Sequence, residues 1–153
     1  MSEISYGSLA FDDPGEVERA ARIHESAPLN WDPSYLVTDA RVANWVKFLG
    51  EAASNPDIHI GVARSGSELV GLHWLVMGER HDVSCAHIQS LWVDRDHRKQ
   101  GIGKTLKERG EAWAKSRGAR FVWTTVFYAN QNMIEFNLRL GFKAGQVEMT
   151  KGL

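Results

Sequence analysis

Apolar positions recur along this chain with two different periods, and the switches between them predict the order of elements. Ile4 to Phe11 reads as a short first strand. Asp13-Pro14 then opens a helix, the aspartate as N-cap and the proline at the first helical position, where its missing N–H is no loss. Leu36, Val42, Trp45, Val46 and Leu49 sit near helical spacing in the next segment, which Asn55-Pro56 ends. From Asp57 to Gly78 two apolar runs flank Ser65-Gly66-Ser67, a hairpin signature, and Val83 to Asp94 forms a further strand. Residues 101–118 return to helical period, with Ile102, Leu106 and Trp113 inward and Gly118 as the C-cap. Ala119 to Tyr128 is rich in β-branched and aromatic residues and predicts a strand. A short helix follows to Gly141, and Phe142 to Lys151 reads as a last strand. The order β-α-α-β-β-β-α-β-α-β describes an α/β (α+β) chain, a mixed sheet with helices on its faces.

The 153 residues show no repeat, low-complexity tract or linker, so residues 1–153 are expected to form a single domain with one substantial core. The formal charge of −1 argues against a nucleic-acid partner, whose electrostatic footprint is strongly basic. Cys85 is the only cysteine, which excludes an internal disulfide and a cysteine-based zinc site. It reads as a small buried hydrophobe rather than a nucleophile. The histidines form no HxH or HExxH pattern, so no metal is expected. The acidic N-terminus lacks the apolar stretch of a signal peptide, and no run is long enough for a membrane span, so a cytoplasmic protein with no membrane partner is expected.

One stretch carries specific chemistry. Arg98-Lys99-Gln100-Gly101-Ile102-Gly103-Lys104 places two glycines at a basic helix entrance. Glycine admits close approach of a ligand to the backbone, and the first turn of a helix presents free N–H groups and partial positive charge. Alone, this is either a turn into a helix or an anion cradle. The spacing does not fit a P-loop.

The stretch from His87 to Phe142 resembles the GNAT superfamily of acyl-CoA-dependent N-acetyltransferases. That family carries Gln/Arg-x-x-Gly-x-Gly/Ala at the start of its central helix, which Arg98 to Gly103 fits, after a strand ending apolar–any–Val–Asp, which Leu91-Trp92-Val93-Asp94 fits. Its later motif, Asn-x-x-Ala-x-x-Phe-Tyr-x-x-x-Gly-Phe, is matched by Asn130, Phe136, Gly141 and Phe142, with Met133 for the alanine and Asn137 for the tyrosine. The resemblance implies acetyl-CoA as co-substrate, with the pyrophosphate on Arg98 to Lys104 and the pantetheine arm along Leu91-Trp92-Val93, near Asn130, Met133 and Asn137. It implies the Leu91 N–H as oxyanion donor and Asn137 in the place of the acid that protonates the leaving thiol. His87 stands where some members carry a base, and strand alternation puts His87, Gln89 and Leu91 on one face; otherwise it is a strand-end packing residue.

In this fold the acceptor lies opposite coenzyme A. Trp31, Asp32, Tyr35, Trp74, Glu79, His81, Asp82 and Gln89 are the candidate contacts, although the aromatics could equally pack helices and Glu79 and Asp82 could belong to a solvated loop. Aromatic faces with carboxylates suit a small cationic amine, polyamine- or amino-sugar-like. A protein N-terminus or lysine is the second reading, and a catalytically silent acyl-CoA-binding module the third. The C-terminus is short for the fold, so a homodimer covering an open sheet edge is expected.

Overall fold

The computed structural model describes residues 3–153. Five strands, β1 (Ile4–Ser8), β2 (Ile58–Ser65), β3 (Glu68–Arg80), β4 (Val83–Val93) and β5 (Phe121–Trp123), form one sheet in the order β1-β2-β3-β4-β5. The first four are antiparallel neighbours, and β5 runs parallel to β4. Gly66, at φ +62°, turns β2 into β3. His81 and Asp82, at φ +53° and +60°, turn β3 into β4, the left-handed pair that matches strand twist in a two-residue hairpin.

Helices α1 (Pro14–Glu25) and α2 (Asp39–Ala52) cover one face of the sheet, and α3 (Ile102–Ser116) covers the other. α4 (Gln131–Arg139) follows β5, and 3-10 turns occupy Ala27–Asn30 and Arg95–His97. Asp13 caps α1 by accepting from the N–H groups of Gly15 and Glu16, with Pro14 at the first position. The α1/α2 face buries Leu9, Val17, Leu49, Val62, Leu72 and Trp74. On the opposite face Ile102, Leu106 and Ala114 of α3 meet Val70, Leu75, Ala86 and Ile88. Cys85 is 2% exposed within the sheet, and Gly118, at φ +88°, ends α3 in the left-handed conformation. No described helix is long and apolar enough to cross a membrane.

Three boundaries differ from the sequence expectation. α2 starts at Asp39, where the Thr38 hydroxyl accepts from Arg41 N–H, leaving Leu36 outside the helix and 73% exposed. β5 keeps only Phe121–Trp123 of the expected strand; beyond it Thr124 bonds Ile88 O through its hydroxyl instead of extending the ladder. The last strand, expected over 142–151, does not form. A three-residue β5 offers little ladder to join, and Val147 and Met149, with no sheet face to pack on, stand 70% and 89% exposed.

Candidate active site

The short β5 shapes the site. It pairs with β4 only at Cys85, Ala86 and His87, while β4 runs on to Val93. Among the described residues, the outer edge of β4 beyond His87 therefore has no strand partner; only the Thr124 hydroxyl reaches it, at Ile88 O. β4 is also bulged: Ile88 pairs with Leu75 and Ser90 with Trp74, so Gln89 is the extra residue. The bulge overturns the simple alternation expected from sequence. His87 and Ser90 share the α1/α2 face with their partners Val76 and Trp74, whereas Leu91 joins Ile102 and Leu106 beneath α3. Only the backbone of Leu91 remains available to the α1 side.

The α3 entrance is open. Lys99 and Gly101 adopt φ +61° and +81°, and no side chain caps Gly101. Thr105 N–H is bonded to Gly101 O, so the N–H groups of Ile102, Gly103 and Lys104 lie ahead of the first intrahelical bond. The other three α-helices have side-chain caps in Asp13, Thr38 and Asn130. A Cβ on Gly103 would sit at ordinary contact distance, 3.5 Å from Phe136, so internal packing does not demand a glycine there. Arg98 Nε donates to Val93 O at 3.0 Å and ties the loop to the end of β4. Asp94 accepts from His97 Nδ1 and the Asp96 N–H, bonds that hold its carboxyl below the usual range. Uncapped donors flanked by Arg98, Lys99 and Lys104 fit a pyrophosphate in charge and in donor count.

A cleft of about 380 Å³ runs from this loop to the end of α1, lined by Arg19, Arg22, Ser90, Leu91, Trp92 and Arg98 among others. At its floor His24 Nδ1 lies 2.7 Å from Ser90 Oγ. His24 packs against Trp45 and Trp74, each with ring centroid 4.4 Å away, and burial pulls its pKa down to about 4.

The other sequence candidates fall into separate groups. His87 lies flat on Trp123, centroids 3.9 Å apart, with Gln89 Nε2 2.7 Å from its Nδ1. Burial, then the nearby Arg80 charge, lowers its pKa. Asn130 accepts from Met133 N–H and caps α4. Asn137 is 6% exposed, and its Oδ1 has no hydrogen-bond partner among the described residues. The expected acceptor wall is not assembled. Trp74 is 1% exposed in the core, and Tyr35 is bound to the Glu25 carboxylate, which also accepts from Trp45 Nε1. Asp32 accepts from the backbone and hydroxyl of Ser34. Glu79 and His81 lie at the β3–β4 hairpin, roughly 20 Å along the strand from Leu91 at about 3.3 Å per residue. Trp31 instead stacks on Phe127 of the loop after β5, centroids 5.9 Å apart.

The profile of the acetyltransferase (GNAT) family matches residues 20–142. The chain belongs to the GNAT family. A mycothiol acetyltransferase from Actinosynnema mirum is 29% identical over 143 residues, 92% of this chain and 46% of that protein. An uncharacterised N-acetyltransferase of Methanocaldococcus jannaschii is 39% identical over 80 residues, 52% of this chain and 34% of that protein. The chain thus spans half or less of the curated relatives it matches. Among solved structures, a transcriptional regulator from Bacillus halodurans superposes with a TM-score of 0.79 at 19% identity, over 99% of this chain and 100% of that one. An aminoglycoside acetyltransferase from a soil metagenomic sample, in complex with sisomicin, gives 0.74 at 18% identity, over 98% and 96%. At these identities the likeness is one of fold.

Sequence reasoning did not single out the cleft residues Arg19, Arg22 and Ser90. The two arginines carry no motif, and nothing in a strand pattern announces a bulge that turns Ser90 toward α1.

Proposed function

We propose that this chain is an acetyl-CoA-dependent N-acetyltransferase acting on the primary amine of a small molecule by direct attack. The observation that carries the reading is the uncapped α3 entrance beside the unpartnered edge of β4. Residues 98–104 bind the pyrophosphate through backbone N–H groups and the Arg98, Lys99 and Lys104 charges. Leu91 to Val93 offer backbone groups to the amides of the pantetheine arm, as a strand edge does to a peptide, with Asn130 and Met133 at its other side. The Leu91 N–H donates to the oxygen that gains charge when the amine attacks; a preorganised donor of this kind is worth roughly 3 kcal/mol.

His87 takes the amine proton, through water. Its lowered pKa keeps the imidazole neutral at pH 7. For Nε2 to accept a proton, Nδ1 must carry its own hydrogen, and Gln89 must then turn its amide oxygen, not its nitrogen, toward Nδ1. Asn137 steadies the thiolate by a hydrogen bond, and water completes its protonation.

Asp32, Tyr35, Trp74, Glu79 and His81 do not line this cleft, so a polyamine- or amino-sugar-like acceptor rests on the sequence composition alone. A protein N-terminus or lysine stays the second reading, and a silent acyl-CoA-binding module the third. The reading further includes a cytoplasmic homodimer without nucleic-acid or membrane partners. The dimer rests on β5, an edge strand whose outer side is unpaired among the described residues. Free-thiol release from acetyl-CoA across a panel of amines tests the activity. Amine-dependent thiol supports the enzyme, while tight binding without any turnover selects the module.

A further inference from the structure

The cleft between α1 and the end of β4 is lined by arginines from two walls. Arg98 belongs to the α3 entrance, but Arg19 and Arg22 enter from the opposite wall, on α1. Three residues apart, they lie on one helix face with Cβ atoms about 5–6 Å apart. Arg22 already holds two exposed carboxylates, Glu18 at 3.0 Å and Asp39 at 3.2 Å, so among the described residues Arg19 is the free cation of the pair and Arg22 a second donor at the edge. Arg19 makes no ion pair among the described residues; its guanidinium lies over the Trp92 ring, 5.7 Å from the centroid. Of the described residues that line the cleft, none is aspartate or glutamate, and its neutral polar groups are Ser26, Asn30 and Ser90. The same cleft reaches Leu91, the residue whose N–H faces the reacting carbonyl in the acetyltransferase reading.

We propose that Arg19 and Arg22 bind an acidic group of the acceptor, so that the substrate is an amine that also carries a carboxylate or phosphate, as in an amino acid, rather than a polycation. This rests on the acetyltransferase reading and names the substrate class of that site. A guanidinium that lies over an indole face and has no carboxylate partner keeps N–H groups for a bidentate anion. Repulsion by the cationic wall acts against a polyamine in the same place, so the arrangement selects both for one class and against the other. The phosphates of coenzyme A are the other source of an anion. In the acetyltransferase reading residues 98–104 of the opposite wall would hold them, which is why the α1 pair is assigned to the acceptor.

The test pairs free amino acids with their α-carboxamides, and phosphoethanolamine with ethanolamine, each assayed by thiol release; spermidine serves as the polycation. Binding of acetyl-CoA is followed separately by calorimetry. The expected result is a preference of tenfold or more in kcat/KM for the acidic member of a pair. That preference should fall at least tenfold in Arg19→Gln, mostly through KM, with partial recovery in Arg19→Lys and acetyl-CoA affinity kept. Equal rates within the pairs, or faster spermidine acetylation, would overturn it. So would a matching loss of acetyl-CoA affinity in Arg19→Gln, which assigns the arginine to coenzyme A, or bound acetyl-CoA with no acidic amine acetylated. A wild-type chain that does not bind acetyl-CoA at all sinks the acetyltransferase reading, and this inference with it.

Discussion

His24 Nδ1 sits 2.7 Å from Ser90 Oγ, so α1 grips β4 at the residue that follows its bulge. The contact joins residues 66 positions apart in sequence. It fixes the segment whose backbone at Leu91 is proposed to meet the reacting carbonyl.

The buried histidines make the fold acid-sensitive. Burial lowers His24 to about 4; burial, then the Lys107 charge, lowers His73 to about 3. Both folded values lie below the unfolded value of about 6.5. Between those limits the unfolded chain binds more protons, so stability present at neutral pH is lost as pH falls from about 6.5 toward 3. Urea unfolding at pH 7, 6 and 5 should show a steady fall in midpoint. A midpoint constant from pH 7 to 4.5 would contradict this origin.

Lys107 works in the opposite range. It is 2% exposed, with its ammonium 4.2 Å from the centroid of the Phe142 ring, and burial lowers its pKa to about 8. The folded value again lies below the unfolded one, about 10.4. Stability should therefore rise between pH 8 and about 10, and Lys107→Met should raise Tm at pH 7 by removing a desolvated charge. A lower Tm for Lys107→Met would mean that the contact with Phe142 outweighs that burial.

His87→Ala should cost roughly 10²–10⁴-fold in kcat if the imidazole is the base. Its lowered pKa places the acidic limb of the wild-type pH–rate profile below about 6.5, and the variant should lose that limb. Near-normal turnover with the limb intact would return His87 to its packing role on Trp123.

Asn137 has no acidic proton to give near neutrality, and a thiol of pKa about 8.5 needs little help to leave. One hydrogen bond worth around 1 kcal/mol corresponds to a loss of about tenfold or less in Asn137→Ala. Tyr128, 66% exposed, should matter little, so Tyr128→Phe should keep nearly full kcat. A hundredfold loss in Tyr128→Phe, with coenzyme A binding intact, would place the acid there.

What could be read in the sequence was local. Asp13-Pro14, the two-glycine entrance to α3 and the Gly118 cap each act through backbone geometry within a few residues, and each lies where expected. The unread parts depend on partners far along the chain. The Gln89 bulge is set by how β3 and β4 pair, so His87 and Leu91 part company although their spacing puts them together. Trp74 and Tyr35 have the composition of a binding wall, yet Trp74 fills the core and Tyr35 satisfies the buried Glu25. The expected last strand mixes apolar and polar residues, but Phe142 and Ala144 are out of phase with Val147 and Met149, and a strand is stabilised only where a neighbour offers a ladder and a face.

The most direct test of the account is calorimetric titration of acetyl-CoA into the wild-type chain and into Gly103→Leu. An added Cβ at Gly103 meets Phe136 and Val93 at ordinary contact distances of 3.5 and 3.6 Å, and circular dichroism establishes that the leucine variant is folded before its affinity is read. A leucine there would stand over the N–H groups proposed to take the pyrophosphate. The account predicts saturable binding to the wild-type chain and at least tenfold weaker binding to the folded variant. Equal affinity of the two, or no binding to the wild-type chain, would contradict it.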